Sequence, residues 1–118
     1  MVDLVGDGAF NFDSPIGALW AANVYHAPFL TIVFNNKQLH AVKSGIWGHY
    51  GRESFLEKAG WPGARIEPSP DYALISQACG NYGQTVEDPS ELQPALRDAL
   101  DQVRRGRPAL LDVRIETE

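Results

Sequence analysis

Two short polar motifs contain the residues of this sequence that could bind a metal ion and a phosphate group. Gly6, Asp7 and Gly8 form the first motif, and the pair Asn35 and Asn36 follows after 26 intervening residues. Asp7 offers a carboxylate and Asn36 an amide oxygen, and Mg²⁺ prefers hard oxygen ligands of these kinds. Gly8 lets the backbone approach a phosphate, to which the following N–H groups could donate. The two motifs together predict a site for a divalent cation and a diphosphate.

Each motif taken alone also has an ordinary structural interpretation. A Gly-Asp-Gly triplet often forms a tight turn, and an Asn-Asn pair often lies in a polar loop. The functional interpretation depends on position, because each motif directly follows a predicted parallel strand, at residues 1–5 and 29–34. Ligands of open α/β sheets bind beyond the carboxyl ends of parallel strands. We therefore expect both motifs at the same edge of a sheet.

The elements that must position these motifs form one strand–loop–helix–strand unit. Residues 6–13 read as a loop, after which Ser14 is placed as a helix N-cap with Pro15 at the first helical position. The helix that follows is apolar nearly all round, which predicts burial on more than one side. The unbroken apolar run of residues 29–34 is typical of a parallel strand covered on both faces.

The rest of the chain continues the α/β pattern after a long, glycine-rich connection. Residues 37–70 predict mainly irregular chain, with short helices near 39–45 and 53–59. The later predicted elements are a helix at 71–78, a strand at 82–86, a helix from the capping box Asp88–Glu91 to Gly106, and a strand at 109–115. This order predicts an α/β fold with a parallel sheet flanked by helices.

Composition excludes several classes of function. The chain has 118 residues, the size of one domain, and a formal net charge of −5, which argues against nucleic-acid binding. Cys79 is the only cysteine, so no intrachain disulfide can form. No apolar run approaches the length of a membrane span, and no signal peptide pattern opens the chain. We expect a cytoplasmic protein without a membrane partner.

The chain resembles the diphosphate-binding motif of thiamine diphosphate-dependent enzymes in three features, which are the first motif, the 26-residue spacing and the segment FLTIVFNN. Within these enzymes the sequence looks most like the acetolactate synthase, pyruvate oxidase and benzoylformate decarboxylase group. The segments GNYGQTVEDPSEL and GRPALLDVRI are similar to the end of the C-terminal cofactor domain in that group. The resemblance implies a thiamine diphosphate-binding fold that lacks its first strand–helix unit. It also implies the cofactors thiamine diphosphate and Mg²⁺.

The resemblance implies a role for individual residues of both motifs. Asp7, the side chain of Asn36 and the backbone carbonyl of Gln38 would be the metal ligands. The residues implied in cofactor binding are Gly6, Asp7, Gly8, Ala9, Asn36, Leu39 and His40. Within this set, Gly8 and Ala9 would donate backbone N–H groups to the diphosphate, while Leu39 and His40 would close over it. His40 is the one residue with a possible catalytic role, since an imidazole group can donate or accept a proton near neutral pH.

Several features depart from the family pattern. Ala9 stands where serine is frequent, which removes one hydroxyl contact to phosphate. His40 stands where glycine is common, and Trp47 does not align with the tryptophan of acetohydroxyacid synthases. The identity of the substrate, beyond the class of 2-oxo acids or acyl compounds, therefore cannot be inferred from the family. The outcome of the reaction and any need for FAD also stay open.

The resemblance implies that a catalytic unit needs more than these residues. A glutamate from a separate pyrimidine-binding domain activates the cofactor in this family, and 118 residues do not include that domain. We expect residues 1–118 to be a C-terminal domain, a fragment of a larger protein that forms a homo-oligomer. It would be part of a lyase or transferase only when a pyrimidine-binding domain is supplied by the same protein or another chain.

Two alternatives remain open at this stage. One is a non-catalytic, truncated module that retains the metal and diphosphate sites. The other is an unrelated nucleotide-binding α/β domain, although the sequence has neither Gly-x-Gly-x-x-Gly after its first strand nor a P-loop.

Overall fold

A four-stranded parallel sheet forms the centre of the molecule. The computed structural model describes residues 1–53 and 55–116. The strands are β1 (Val2–Gly6), β2 (Leu30–Asn35), β3 (Tyr82–Val86) and β4 (Ala109–Arg114). They lie in the order β1-β2-β4-β3, and every neighbouring pair is parallel. The predicted parallel α/β sheet is confirmed.

Helices cover both faces of this sheet. They are α1 (Asp7–Phe12), α2 (Pro15–Val24), α3 (His40–Tyr50), α4 (Phe55–Lys58), α5 (Tyr72–Ala78) and α6 (Pro89–Arg104). Side chains of α6 pack with Leu30 and Leu111 on one face, and side chains of α1, α2 and α5 pack with Val33 and Leu110 on the other. Adjacent residues of β4 point to opposite faces, as a strand requires, and both faces of β4 are buried. The mainly apolar sequence of this strand follows from that burial.

One predicted loop and one predicted helix end were wrong, whereas one predicted helix cap was confirmed in position. The segment predicted as a loop at residues 6–13 contains α1, and the side chain of Asn11 in its last turn donates a hydrogen bond to the Asp7 carbonyl. Ser14 is the N-cap of α2 and Pro15 its first residue, as predicted, but Ser14 has left-handed φ and ψ angles of 54° and 51° and its side chain makes no cap bond. The helix predicted at 39–45 continues past its predicted end to Tyr50, and Gly51, with a φ of 78°, follows it.

The first strand and α2 expose apolar side chains. Leu19 and Ala22 face the core, whereas Ile16 and Trp20 are more than half exposed, so the prediction that α2 is buried on several sides was wrong. On the edge strand β1, Leu4 is 62% exposed. Among residues 1–53 and 55–116, no helix is long and apolar enough to cross a membrane.

Candidate functional site

The carboxyl ends of β1 and β2 bring the two polar motifs together. The two strands pair in parallel with Gly6 opposite Phe34, so the residues that follow each strand leave the sheet side by side. A cavity of about 350 Å³ opens at this edge. Its lining includes all of the predicted site residues: Gly6, Asp7, Gly8, Ala9, Asn36, Gln38, Leu39 and His40.

Asp7 contributes a buried carboxylate to this cavity. The residue is 2% exposed, and its Oδ1 accepts a hydrogen bond of 2.9 Å from the Gly8 N–H. Its Oδ2 is buried and has no hydrogen-bond partner. Burial raises the pKa of Asp7, and nearby backbone N–H groups, including those of Lys37 and Gln38, lower this pKa by a smaller amount. A carboxylate in this state is incompletely compensated, and a hard cation would complete its coordination.

The segment after β2 folds back over Asp7. Asn36 Oδ1 accepts a hydrogen bond of 3.2 Å from the Gln38 N–H, and the Gln38 carbonyl accepts one of 3.0 Å from the His40 N–H. Lys37, between them, has a left-handed φ of 59°. Each of the two oxygens retains a second lone pair. The turn therefore offers one amide oxygen and one carbonyl oxygen next to the Asp7 carboxylate.

The first asparagine of the pair has a different role. Asn35 is fully buried, and its Nδ2 donates to Asp112 Oδ1 at 2.9 Å and to Ser69 Oγ at 3.0 Å. Its Oδ1 accepts a hydrogen bond from the Lys37 N–H. Asn35 thus holds the turn to the sheet instead of facing the cavity.

Asp112 is a supporting residue that sequence reasoning missed. It lies fully buried in β4, and its Oδ2 is 3.0 Å from Arg114 Nη2. Burial raises the pKa of Asp112, while the hydrogen bond from Asn35 and the charge of Arg114 lower this pKa. The one available signal was the acidic residue itself, which interrupts an apolar strand at residues 109–115.

Gly8 permits a close approach between the two sides of the cavity. A Cβ atom at this position would lie 2.7 Å from Cδ2 of Leu39, so the Leu39 side chain would have to move to admit it. His40 is exposed, and its ring meets Trp47 edge-on with centroids 6.3 Å apart.

The donor set of the site favours a cation with oxygen ligands. No group of three or more His, Cys, Asp or Glu side chains able to hold a metal occurs within residues 1–53 and 55–116. A metal at this edge would therefore bind Asp7 together with neutral amide and carbonyl oxygens. Mg²⁺ accepts such a set when a phosphate supplies further oxygens.

Comparison with known proteins identifies the family. A family model described as "Thiamine pyrophosphate enzyme, C-terminal TPP binding domain" matches residues 1–113. The chain belongs to this family. The resemblance predicted from the two polar motifs and the C-terminal segments is therefore confirmed.

Individual relatives are whole enzymes of the same family. Over 119 residues, the chain is 29% identical to the acetolactate synthase isozyme 3 large subunit of Escherichia coli K12, an alignment that covers 98% of this chain and 19% of the relative. Over 120 residues it is 32% identical to the sulfoacetaldehyde acetyltransferase of Rhodobacter capsulatus, covering 100% of this chain and 19% of the relative.

A solved structure shows the same fold. The thiamine diphosphate-dependent 4-hydroxybenzoylformate decarboxylase of Rhodococcus jostii RHA1 matches with a TM-score of 0.80 and 26% identity, over 99% of this chain and 20% of the decarboxylase. The predicted thiamine diphosphate-binding fold is confirmed. The chain spans about a fifth of the length of each of these relatives.

Proposed function

We propose that this chain binds the diphosphate of thiamine diphosphate through Mg²⁺. It would do so as the C-terminal part of an acetolactate synthase-like enzyme that decarboxylates or ligates 2-oxo acids. The observation that carries the proposal is the buried Asp7 Oδ2, which has no hydrogen-bond partner and lies beside the turn at residues 36–38. Membership of the thiamine pyrophosphate-binding family supports the cofactor.

The proposed metal ligands are Asp7 Oδ2, Asn36 Oδ1 and the backbone carbonyl of Gln38. Two diphosphate oxygens and one water would complete the octahedron that Mg²⁺ requires. The ionised form of Asp7 is the one that binds, so the metal would offset the cost of burying this carboxylate. This explains why a buried carboxylate oxygen is left without a hydrogen-bond donor.

The proposed diphosphate contacts come from both sides of the cavity. The backbone N–H groups of Gly8 and Ala9 would donate from the first turn of α1, and Leu39 and His40 would close the opposite side. Three exposed apolar side chains, Phe34, Val42 and Ile115, also line the cavity and would border the bound group.

Thiamine diphosphate supplies the electron sink for bond making or breaking beside the carbonyl carbon of a 2-oxo acid. Residues of this chain would bind and orient its diphosphate end. No catalytic residue is assigned here, although His40 borders the cavity and could transfer a proton. We propose that residues 1–118 act as a C-terminal domain and that a pyrimidine-binding domain, in the same protein or another chain, completes the site. A cytoplasmic homo-oligomer remains our expectation.

Calorimetry on the protein that carries this chain tests the proposal. Thiamine diphosphate should bind when Mg²⁺ is present and lose its measurable heat when EDTA removes the metal. Asp7→Ala should abolish Mg²⁺-dependent binding, whereas the matched control Asp13→Ala, at an exposed aspartate beyond α1, should bind normally. Metal-dependent binding of unchanged affinity in Asp7→Ala would refute the ligand assignment. Binding without turnover by the whole protein would favour a non-catalytic module.

A further inference from the structure

Lys43 is a buried lysine beside the candidate metal site. It lies on α3 and is 6% exposed, and its Nζ donates a hydrogen bond of 3.2 Å to Gln38 Oε1. Lys43 does not line the cofactor cavity. It lines a neighbouring cavity of about 430 Å³, and the two cavities share Gln38. Lys43 therefore contacts the Gln38 side chain outside the candidate cofactor cavity.

Two tryptophans lie against the Lys43 ammonium group, and a glutamate joins their indole N–H groups; we call Trp47, Glu57 and Trp61 the tryptophan cluster. The Nζ of Lys43 lies 4.8 Å from the centroid of the Trp47 ring and 5.3 Å from that of Trp61. Both indole N–H groups donate to Glu57 Oε2, at 3.2 Å and 3.1 Å. Because Glu57 fixes the two rings by their edges, their faces are held toward the cation.

The tryptophan cluster is connected to the backbone of the metal turn. Trp61 is buried, and its carbonyl accepts a hydrogen bond from the Ala64 N–H. The Leu39 N–H donates to the Ala64 carbonyl at 2.7 Å, and the Ile66 N–H donates to the Lys37 carbonyl at 2.8 Å. These two bonds pair residues 64–66 with residues 37–39, next to the turn that contains Asn36.

We propose that Lys43 is a positioning residue for the metal turn, residues 36–39. Burying an ammonium group costs free energy unless hydrogen bonds and cation–π contacts compensate it, whereas an apolar side chain would fill the same space without that cost. The compensating contacts hold the Gln38 side chain and thereby fix the direction of the Gln38 carbonyl. This role rests on the proposed function, in which that carbonyl is a metal ligand.

Calorimetric titration of Mg²⁺ into the metal-free protein, with excess thiamine diphosphate in both solutions, tests this role without measuring activity. Lys43→Met keeps a long side chain but removes the charge and the donor, and it should raise the Mg²⁺ dissociation constant about tenfold. The matched control is Lys58→Met at an exposed lysine of α4, which should change the constant less than twofold. Thermal unfolding of the metal-free proteins measures any general loss of stability separately.

A second variant distinguishes positioning from general packing. Gln38→Met retains the backbone carbonyl but removes the side-chain acceptor of Lys43, so it should weaken Mg²⁺ binding to a similar extent. The double variant should bind Mg²⁺ no more weakly than either single one, because both changes remove the same contact. If Lys43→Met does not fold, Gln38→Met alone decides the matter.

Three results would overturn the proposal. Unchanged Mg²⁺ affinity in Lys43→Met, in Gln38→Met or in both would refute the role of Lys43 while leaving the proposed function intact. Additive losses of Mg²⁺ affinity in the double variant would do the same. A wild-type protein whose thiamine diphosphate binding does not depend on Mg²⁺ would refute the proposed function, and the role of Lys43 with it.

Discussion

Replacement of Asp7 by asparagine should stabilise the metal-free protein while it removes metal binding. Asparagine keeps the size of the side chain and an oxygen that can accept the Gly8 N–H. It removes a buried negative charge whose second oxygen has no hydrogen-bond partner. It also removes the repulsion by which Asp7 helps to raise the pKa of Asp112. A purely structural carboxylate would show the opposite effect, because its loss would lower stability.

The magnitude follows from the burial of Asp7. Leaving a buried polar group unsatisfied costs about 1–3 kcal/mol. The neighbouring backbone N–H groups already offset part of this cost, so the lower end of the range applies. We expect Asp7→Asn to raise the free energy of unfolding by about 1 kcal/mol at neutral pH, which corresponds to a rise in melting temperature of about 3–5 °C.

The effect should depend on pH in a defined direction. The pKa of Asp7 is higher in the folded state than in the unfolded chain, so the folded state binds the proton more tightly. The ionised carboxylate therefore destabilises the fold in full above its folded pKa, and this cost disappears as pH falls toward about 4, the unfolded value. The difference between Asp7→Asn and wild type should be largest at neutral pH and vanish in acid.

Thermal unfolding with and without ligands provides the assay. Thiamine diphosphate and Mg²⁺ at a hundred times their dissociation constant should stabilise the wild type by about 2.7 kcal/mol, roughly 10 °C in melting temperature. Asp7→Asn should gain nothing from the ligands. A metal-free Asp7→Asn protein with a lower melting temperature than the wild type at neutral pH would refute the argument that Asp7 is an incompletely compensated buried charge that binds a cation.

Three further predictions follow from the site and the packing around it. Asn36→Ala should raise the Mg²⁺ dissociation constant, measured by calorimetry, at least tenfold with little change in melting temperature. Asn35→Ala should instead lower the melting temperature in thermal unfolding. If the two effects were reversed, the metal ligand would be assigned to the wrong asparagine. Gly83→Ala should destabilise the protein by about 1–3 kcal/mol because its Cβ would overlap a backbone carbonyl of α5, while Gly17→Ala, in open space on α2, should be neutral or stabilising in denaturant unfolding. Residues 1–118 expressed alone should self-associate or pair with a partner polypeptide through the exposed apolar edge of β1 and α2. They should not turn over pyruvate or benzoylformate. Light scattering that shows a monomer, or turnover at saturating thiamine diphosphate and Mg²⁺, would contradict this expectation.

Sequence alone predicted the strands and the edge of the sheet at which the two polar motifs meet, because both depend on local signals. Runs of mainly apolar residues mark β2 and β4, and the polar motifs begin where β1 and β2 end. The parallel topology then places Asp7 and Asn36 at one edge of the sheet without further information.

The remaining features depend on contacts between distant parts of the chain. A Gly-Asp-Gly start is a weak helix signal, and α1 is stabilised by packing of Phe10 and by the 2.7 Å hydrogen bond from Asn11 Nδ2 to the Tyr72 hydroxyl. The contacts of Lys43 with Trp61 join α3 to a segment with no hydrophobic periodicity. Pattern reasoning has no means of detecting either contact before the fold is known.

The central claim is that Asp7 and the turn at residues 36–38 hold a divalent cation that binds the diphosphate. A crystal of the protein grown with thiamine diphosphate and Mn²⁺ in place of Mg²⁺ tests it most directly, because Mn²⁺ can be located by its anomalous scattering. We predict one peak within metal–oxygen bonding distance of Asp7 Oδ2, Asn36 Oδ1 and the Gln38 carbonyl oxygen. Diphosphate bound in this cavity with no metal peak at Asp7, or a peak elsewhere, would contradict the account.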